Sequence, residues 1–309
     1  MKPKKYQLLI LFVFLGIIQY NAHAQTPLKT LVIIAHPDDE SMLSVTLYKL
    51  AKEQHGQVDL FVITNGEAGY RYSTLAEQYY GLKLTDAADA RKNLPAIRKK
   101  ELHEAGEVLG ISHYYFGNQA DSHYSTDEHE PLDTSWHVPA VKQQLHQLLI
   151  QNHYNYVFCL LPEADTHAGH KAATLLALDV VASLPANERP IVLGAALRNK
   201  ADDVKTFKQL AAYERTTAIS TAPSFSVDRT TSFSYRNKIN YKIIANWELA
   251  AHKSQGATQM TMNDGDLEEF WYFKINSPEK LAQTAQLFER LSQSPYVQQQ
   301  WLSQTSTKP

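Results

Sequence analysis

Residues 31–42 read LVIIAHPDDESM, an apolar run that passes directly into a histidine, a proline and three acids. Leu31, Val32, Ile33 and Ile34 are the short continuous apolar stretch that fills a strand buried on both faces of a parallel sheet. Ligands bind outside the carboxyl ends of such strands, which is where His36, Asp38 and Asp39 fall. Pro37 ends the strand and pins the turn, so His36 and Asp39 can both face one ion. Asp38 is left between them, a carboxylate placed to take a proton from a nearby water. A helix cap alone would need one of these acids and would not need the histidine.

Outward from this stretch, strands and helices alternate. Strands are expected near 30–35, 58–64, 113–117, 155–161 and 190–197, with helices over 41–54, 91–109, 138–152 and 170–184. That order predicts an α/β fold: a Rossmann-like, doubly wound, mostly parallel sheet with helices on both faces and right-handed crossovers. The last third adds strand-like residues around Phe225 to Tyr235, a helix over about 238–254 and another over about 278–292, read as additions to one domain covering 25–309.

A catalytic zinc takes three protein ligands and keeps one position for water, so a third ligand is expected at another strand end. The apolar stretch NYVFCLL at 155–161 is followed, after Pro162, by EADTHAGHKAA, which places His167 and His170 at the mouth of a helix. The chain has 13 histidines, so this pair is informative through its position after a strand rather than through its spacing.

Together, AHPDDE after the first strand and a His-x-x-His after a later one resemble the PIG-L/LmbE zinc-dependent N-deacetylases, which remove acetyl groups from N-acetylglucosamine-containing substrates. TNGEAG at 64–69, IRKKELHEAGEVLG at 97–110 and HKSQ at 252–255 extend the resemblance along the chain. It implies an LmbE-like fold, Zn2+ as cofactor (Fe2+ uses similar ligands), and an amino-sugar or glycoconjugate substrate. The ligands it implies are His36, Asp39 and His170. Asp38 would be the general base acting on a metal-held water, and His167 would stabilise the oxyanion or protonate the leaving amine. Arg98 and His252 would lie against the substrate. The sequence departs from the family at Gly169, where an acidic residue is common. The carboxylate that orients the histidine pair is therefore missing, and Asp165 is the nearest substitute. A different amide substrate and a catalytically impaired carbohydrate-binding relative are the competing readings. A nucleotide-binding Rossmann protein is disfavoured, because no glycine fingerprint follows the first strand and three acids stand there instead.

Residues 1–24 read as a secretory signal: Lys2, Lys4 and Lys5, an apolar core from Leu8 to Ile18, and Ala22-His23-Ala24 as a small-x-small cleavage site. Export to the periplasm or outside is expected. The apolar run is too short to favour stable membrane insertion. Losing this segment removes three lysines and no acid, moving the net charge from −2 to about −5. With no basic patch, nucleic acid is not an expected partner. Cys159, the single cysteine, lies in an apolar strand and is read as a buried small hydrophobe. Two long loops stand out. Tyr70, Tyr72, Tyr79 and Tyr80 in 65–90 are either walls of a sugar site or packing residues. Asp121, His123, His129, Trp136 and His137 in 118–137 are open to the same sugar-wall reading, and the three histidines are read as exposed in preference to a second metal site.

Overall fold

The computed structural model describes residues 27–297, so the expected signal segment lies outside the described residues. A seven-stranded sheet contains β1 (Lys29–Ile34), β2 (Gln57–Thr64), β3 (His113–Gln119), β4 (Tyr156–Leu160), β5 (Ile191–Arg198), β6 (Phe225–Asp228) and β9 (Leu267–Tyr272). Its order is β3-β2-β1-β4-β5-β9-β6, with β7 (Ser232–Phe233) and β8 (Ile239–Asn240) forming a separate ribbon. Strands β3 to β5 in that order are mutually parallel, and β9 runs antiparallel to both β5 and β6. The doubly wound, mostly parallel sheet expected from the sequence is therefore the fold.

Period-two alternation divides β1 between two cores. Leu31, Ile33 and Ala35 pack with residues of α4 (Val138–Asn152) and α5 (Ala168–Ser183). Val32 and Ile34 face the opposite layer with residues of α1 (Ser44–Tyr48), α3 (Ala87–Leu109), α6 (Lys242–Ala251) and α8 (Leu281–Ser292). Cys159 is fully buried in the first core as a free thiol. Two shorter helices are α2 (Thr74–Tyr80), whose Ala76 packs with Ala90 and Leu94 of α3, and α7 (Gly256–Gln259).

Three expected boundaries move, each for a local reason. The helix expected over 41–54 is instead a 3-10 turn at Asp39–Leu43, then α1, then a π turn at Lys49–Glu53. The Glu268 carboxylate enters at the start of α1 and accepts the Val45 and Thr46 N–H groups at 2.9 and 2.8 Å. Helix α3 begins four residues before the expected position because Asp86 caps it, accepting from Ala88 N and Asp89 N at 3.0 and 3.1 Å. Helix α6 starts at Lys242, because Ile239 and Asn240 are taken by the ribbon with Ser232 and Phe233. Strand β9 has no counterpart among the expected elements.

Candidate metal centre

The carboxyl ends of β1 and β4 bring the two histidine motifs together. His36, His167 and His170 present ring nitrogens within 4.8 Å of one another. Asp39 lies against two of them, its Oδ1 3.0 Å from His170 Nε2 and its Oδ2 3.5 Å from His36 Nδ1. The turn after β1 fixes this carboxylate, since Oδ2 also accepts the Ala35 and His36 N–H groups at 3.0 and 2.9 Å. Donors bonded to a tetrahedral ion at about 2.0–2.1 Å sit roughly 3.4 Å apart. Nitrogen and carboxylate donors at these separations fit a divalent cation.

The electrostatics agree. Burial works against a charged His36, yet the carboxylates of Asp39, Asp121 and Asp38 outweigh it and raise this histidine to about 9. Asp39 is held well below the usual carboxylate range, because His170 and His36 beside it overcome the cost of burial. Such a pocket of negative charge draws a cation. For His167, burial and then the neighbouring His36 and His170 lower the pKa to about 4, so the ring is neutral. His167 caps α5, and its Nδ1 accepts the Gly169 N–H at 3.2 Å. The ring proton is thereby assigned to Nε2.

Asp38 stands beside this group with φ +116°, in the left-handed region that a residue with a Cβ seldom occupies. Such backbone strain costs about 1–3 kcal/mol and persists only where the surroundings impose it. The Thr258 hydroxyl donates to Asp38 Oδ2 at 2.5 Å. Burial, followed by the adjacent Asp39, raises Asp38 to about 6.

These residues line a cleft of about 500 Å3, together with Arg98, Asp121, Gln255, Met42, Tyr72 and Tyr124, within the size range of small-molecule sites. Arg98 is 2 % exposed and lies under the 66–69 turn, donating to the Gly66 carbonyl. Gly66 sits at φ +69°, where a side chain is strained, and a Cβ there would come within 2.7 Å of the Arg98 guanidinium and displace it.

Two expectations are corrected. His252 does not reach the cleft: it is fully buried, its Nε2 2.7 Å from Glu40 Oε1 and 3.2 Å from Glu248 Oε1. Burial pushes Glu248 up to about 7. Asp165 does not replace the missing carboxylate, since it is exposed, and the group facing His170 Nδ1 is the Thr166 hydroxyl at 3.3 Å. Position 169 is tight in this arrangement, because a Cβ would come within 3.1 Å of His167 Nδ1 and His36 Cε1, so that a side chain there requires these rings to shift by a few tenths of an ångström.

The carboxylate that does approach the rings is Asp121, 3.8 Å from His36 Nε2 and held by the Ala68 N–H at 3.0 Å. It follows β3 in the 118–137 loop, where the strand-end rule makes it a candidate and its contact with His36 singles it out. Thr258 carried no comparable signal. The tyrosines divide between the two readings. Tyr72 lines the cleft, whereas Tyr70 and Tyr80 pack against Ala76, Leu84, Ala90 and Leu94. His123, His129 and His137 are exposed, as expected.

Residues 31–181 match the family described as PIG-L: GlcNAc-PI de-N-acetylase. That segment of the chain belongs to the PIG-L family. Its members hydrolyse an amide bond, and the PIG-L segment carries His36, Asp38, Asp39, Arg98, Asp121, His167 and His170, whereas His252, Gln255 and Thr258 come from beyond it. A probable N-acetyl-alpha-D-glucosaminyl L-malate deacetylase 2 from Bacillus cereus is 25% identical over 174 residues, covering 56% of this chain and 70% of the relative. Among solved structures, a conserved protein from Thermus thermophilus is 21% identical, covering 81% of this chain and 94% of its own, with a TM-score of 0.49. N,N'-diacetylchitobiose deacetylase from Pyrococcus horikoshii is 18% identical, covering 78% and 82%, with a TM-score of 0.44.

Proposed function

We propose that this PIG-L family member is an exported, zinc-dependent N-deacetylase that removes the acetyl group from an N-acetylglucosamine-containing sugar or glycoconjugate. The observation that carries this reading is a strained, half-buried Asp38 directly beside the His36, Asp39 and His170 donors on the floor of one cleft. The N-acetylglucosamine moiety common to the family description and the name of the Bacillus cereus relative supports the substrate class. The basic and apolar segment of residues 1–24 supports export.

His36, Asp39 and His170 would hold the ion. A divalent ion in that position polarises a water and the amide oxygen. Asp38 takes the proton of the attacking water and passes it to the departing amine nitrogen, so that acetate and a free amine result. The neutral His167, with its proton on Nε2, donates a hydrogen bond to the oxygen on which negative charge develops. Arg98 stays fixed beneath the 66–69 turn and keeps positive charge facing Asp38 and Asp121.

The test is release of free amine from a panel of N-acetylglucosamine monomers, oligomers and conjugates by the zinc-loaded protein. Release from at least one member is expected, and chelation should abolish it. His170→Ala is expected to lose bound zinc as well as turnover, and the chelated wild type should melt at a lower temperature, because a ligand that binds only the folded state stabilises it. An unchanged zinc content in His170→Ala would place the third ligand elsewhere. The pH profile has a defined sign. Asp38 works as the carboxylate, so turnover falls on acidification through its pKa. That pKa is about 6 without an ion, and a neighbouring cation shifts it downward. The acid limb of kcat is therefore expected at or below about pH 6, and a limb above neutrality would exclude Asp38 as the base.

A further inference from the structure

The residues that follow α6 converge on one peptide group of the site, the link between Pro37 and Asp38. The Gln255 side-chain amide donates to the Pro37 carbonyl at 2.5 Å, and the same nitrogen is 3.2 Å from His252 Nδ1. On the other side of His252, Nε2 is 2.7 Å from Glu40 Oε1, and Glu40 Oε2 accepts the Asp38 N–H at 2.9 Å. The chain of contacts closes on itself: Pro37 carbonyl, Gln255, His252, Glu40, Asp38 amide.

A peptide group is planar, so its orientation is set by one rotation. Holding its carbonyl from one side and its N–H from the other removes that freedom. The rotation so fixed includes φ of Asp38, the +116° angle that this residue would not adopt unaided. Glu40 and His252 are fully buried and Gln255 is 5 % exposed, so water does not compete for these bonds. Ser254 anchors the segment from behind, its N–H and hydroxyl both given to the buried Glu101 of α3 at 2.9 and 2.6 Å.

We infer that Gln255 and Glu40, joined through His252, are positioning residues that lock the Pro37–Asp38 peptide and so aim the Asp38 carboxylate into the cleft. This rests on the reading of Asp38 as the base. Glu40, Glu248 and His252 also present donor atoms within 4.8 Å of one another, as a second ion would require. His252 Nε2 stands 2.7 and 3.2 Å from the Glu40 and Glu248 carboxylates, so that nitrogen carries a proton and faces Glu40 as a hydrogen-bond donor and not as a ligand.

The test uses Gln255→Met, which keeps the side-chain volume and removes both N–H donors, in the full zinc-loaded chain. Displacing a base by about 1 Å costs on the order of 100-fold, so kcat should fall about 100-fold with KM changed less than about twofold. Zinc content should stay at one ion per chain, and the Asp38 amide, followed by residue-resolved hydrogen exchange, should exchange faster. A loss of packing alone would lower the melting temperature without this split between kcat and KM. Gln255→Glu keeps the shape, replaces the donor with an acceptor, and is read in the same way if the first variant does not fold. Unchanged kcat, unchanged Asp38 exchange, or a second bound zinc lost in His252→Ala would each overturn the proposal. If the wild type cleaves no member of the sugar panel, the deacetylase reading fails, and the exchange rate of the Asp38 amide still decides whether the lock exists.

Discussion

Replacing Asp38 by Asn is expected to lower kcat by about 10²–10⁴-fold, the usual contribution of a positioned general base, while zinc content and melting temperature stay close to wild type. The substitution is nearly isosteric, and its amide oxygen can still accept the Thr258 hydroxyl that holds Oδ2 at 2.5 Å. It also leaves the His36, Asp39 and His170 donors in place. What disappears is a group able to carry a proton from the attacking water to the amine. Amine release and metal content measured on the same preparation check the prediction. Turnover within a few fold of wild type would remove Asp38 from the chemistry, and loss of zinc would make it a ligand instead.

Glu268→Ala should be the most destabilising of these substitutions, at about 3–5 kcal/mol, the range found when one partner of a buried ion pair is deleted. Glu268 is fully buried on β9 and meets four donors: Val45 N, Thr46 N, the Thr46 hydroxyl, and Arg229 Nε at 2.8 Å. Arg229 is itself 2 % exposed, and its other arm donates to the Ser41 carbonyl at 2.5 Å. Removing the carboxylate leaves a cation buried without its counter-charge and two helix-start N–H groups without acceptors. The denaturant midpoint should fall with the slope unchanged. Because α1 continues directly from the turn that holds Asp39, weaker zinc binding should accompany the loss. A change below about 1 kcal/mol would mean that water or a rearranged Arg229 satisfies these groups.

Glu268 also shows why β9 is not legible in the sequence. The segment LEEFWY carries two adjacent acids, which argue for a surface position when neighbours in sequence are all that can be seen. In the structure both acids are buried. Glu268 pairs with Arg229 on the residues after β6, and Glu269 pairs with Arg198 of β5 at 2.7 Å. Both partners lie tens of residues away. By contrast, β1 and β4 carry continuous apolar runs whose burial needs no partner to be inferred, and their expected bounds agree with the structure to within a residue or two.

The same distinction runs through the candidate site. The histidines and acids on the turn after β1 and at the start of α5 are readable because each motif is local, and because strand ends in a parallel sheet share one edge. For His252 the sequence points to the right region and the wrong face. Its residue type does not reveal that Glu40 and Glu248 enclose it.

By itself the sequence determined the doubly wound fold and the chemical character of its active edge, because apolar periodicity and strand-end motifs act over a few residues. Only the tertiary structure decided which carboxylate approaches the histidines, how closely the histidine rings crowd position 169, and how the late segment from His252 to Thr258 reaches back to Pro37 and Asp38. Those outcomes depend on pairs separated by more than 80 residues, whose meeting is set by the packing of whole helices on the sheet and is written in no single stretch of chain.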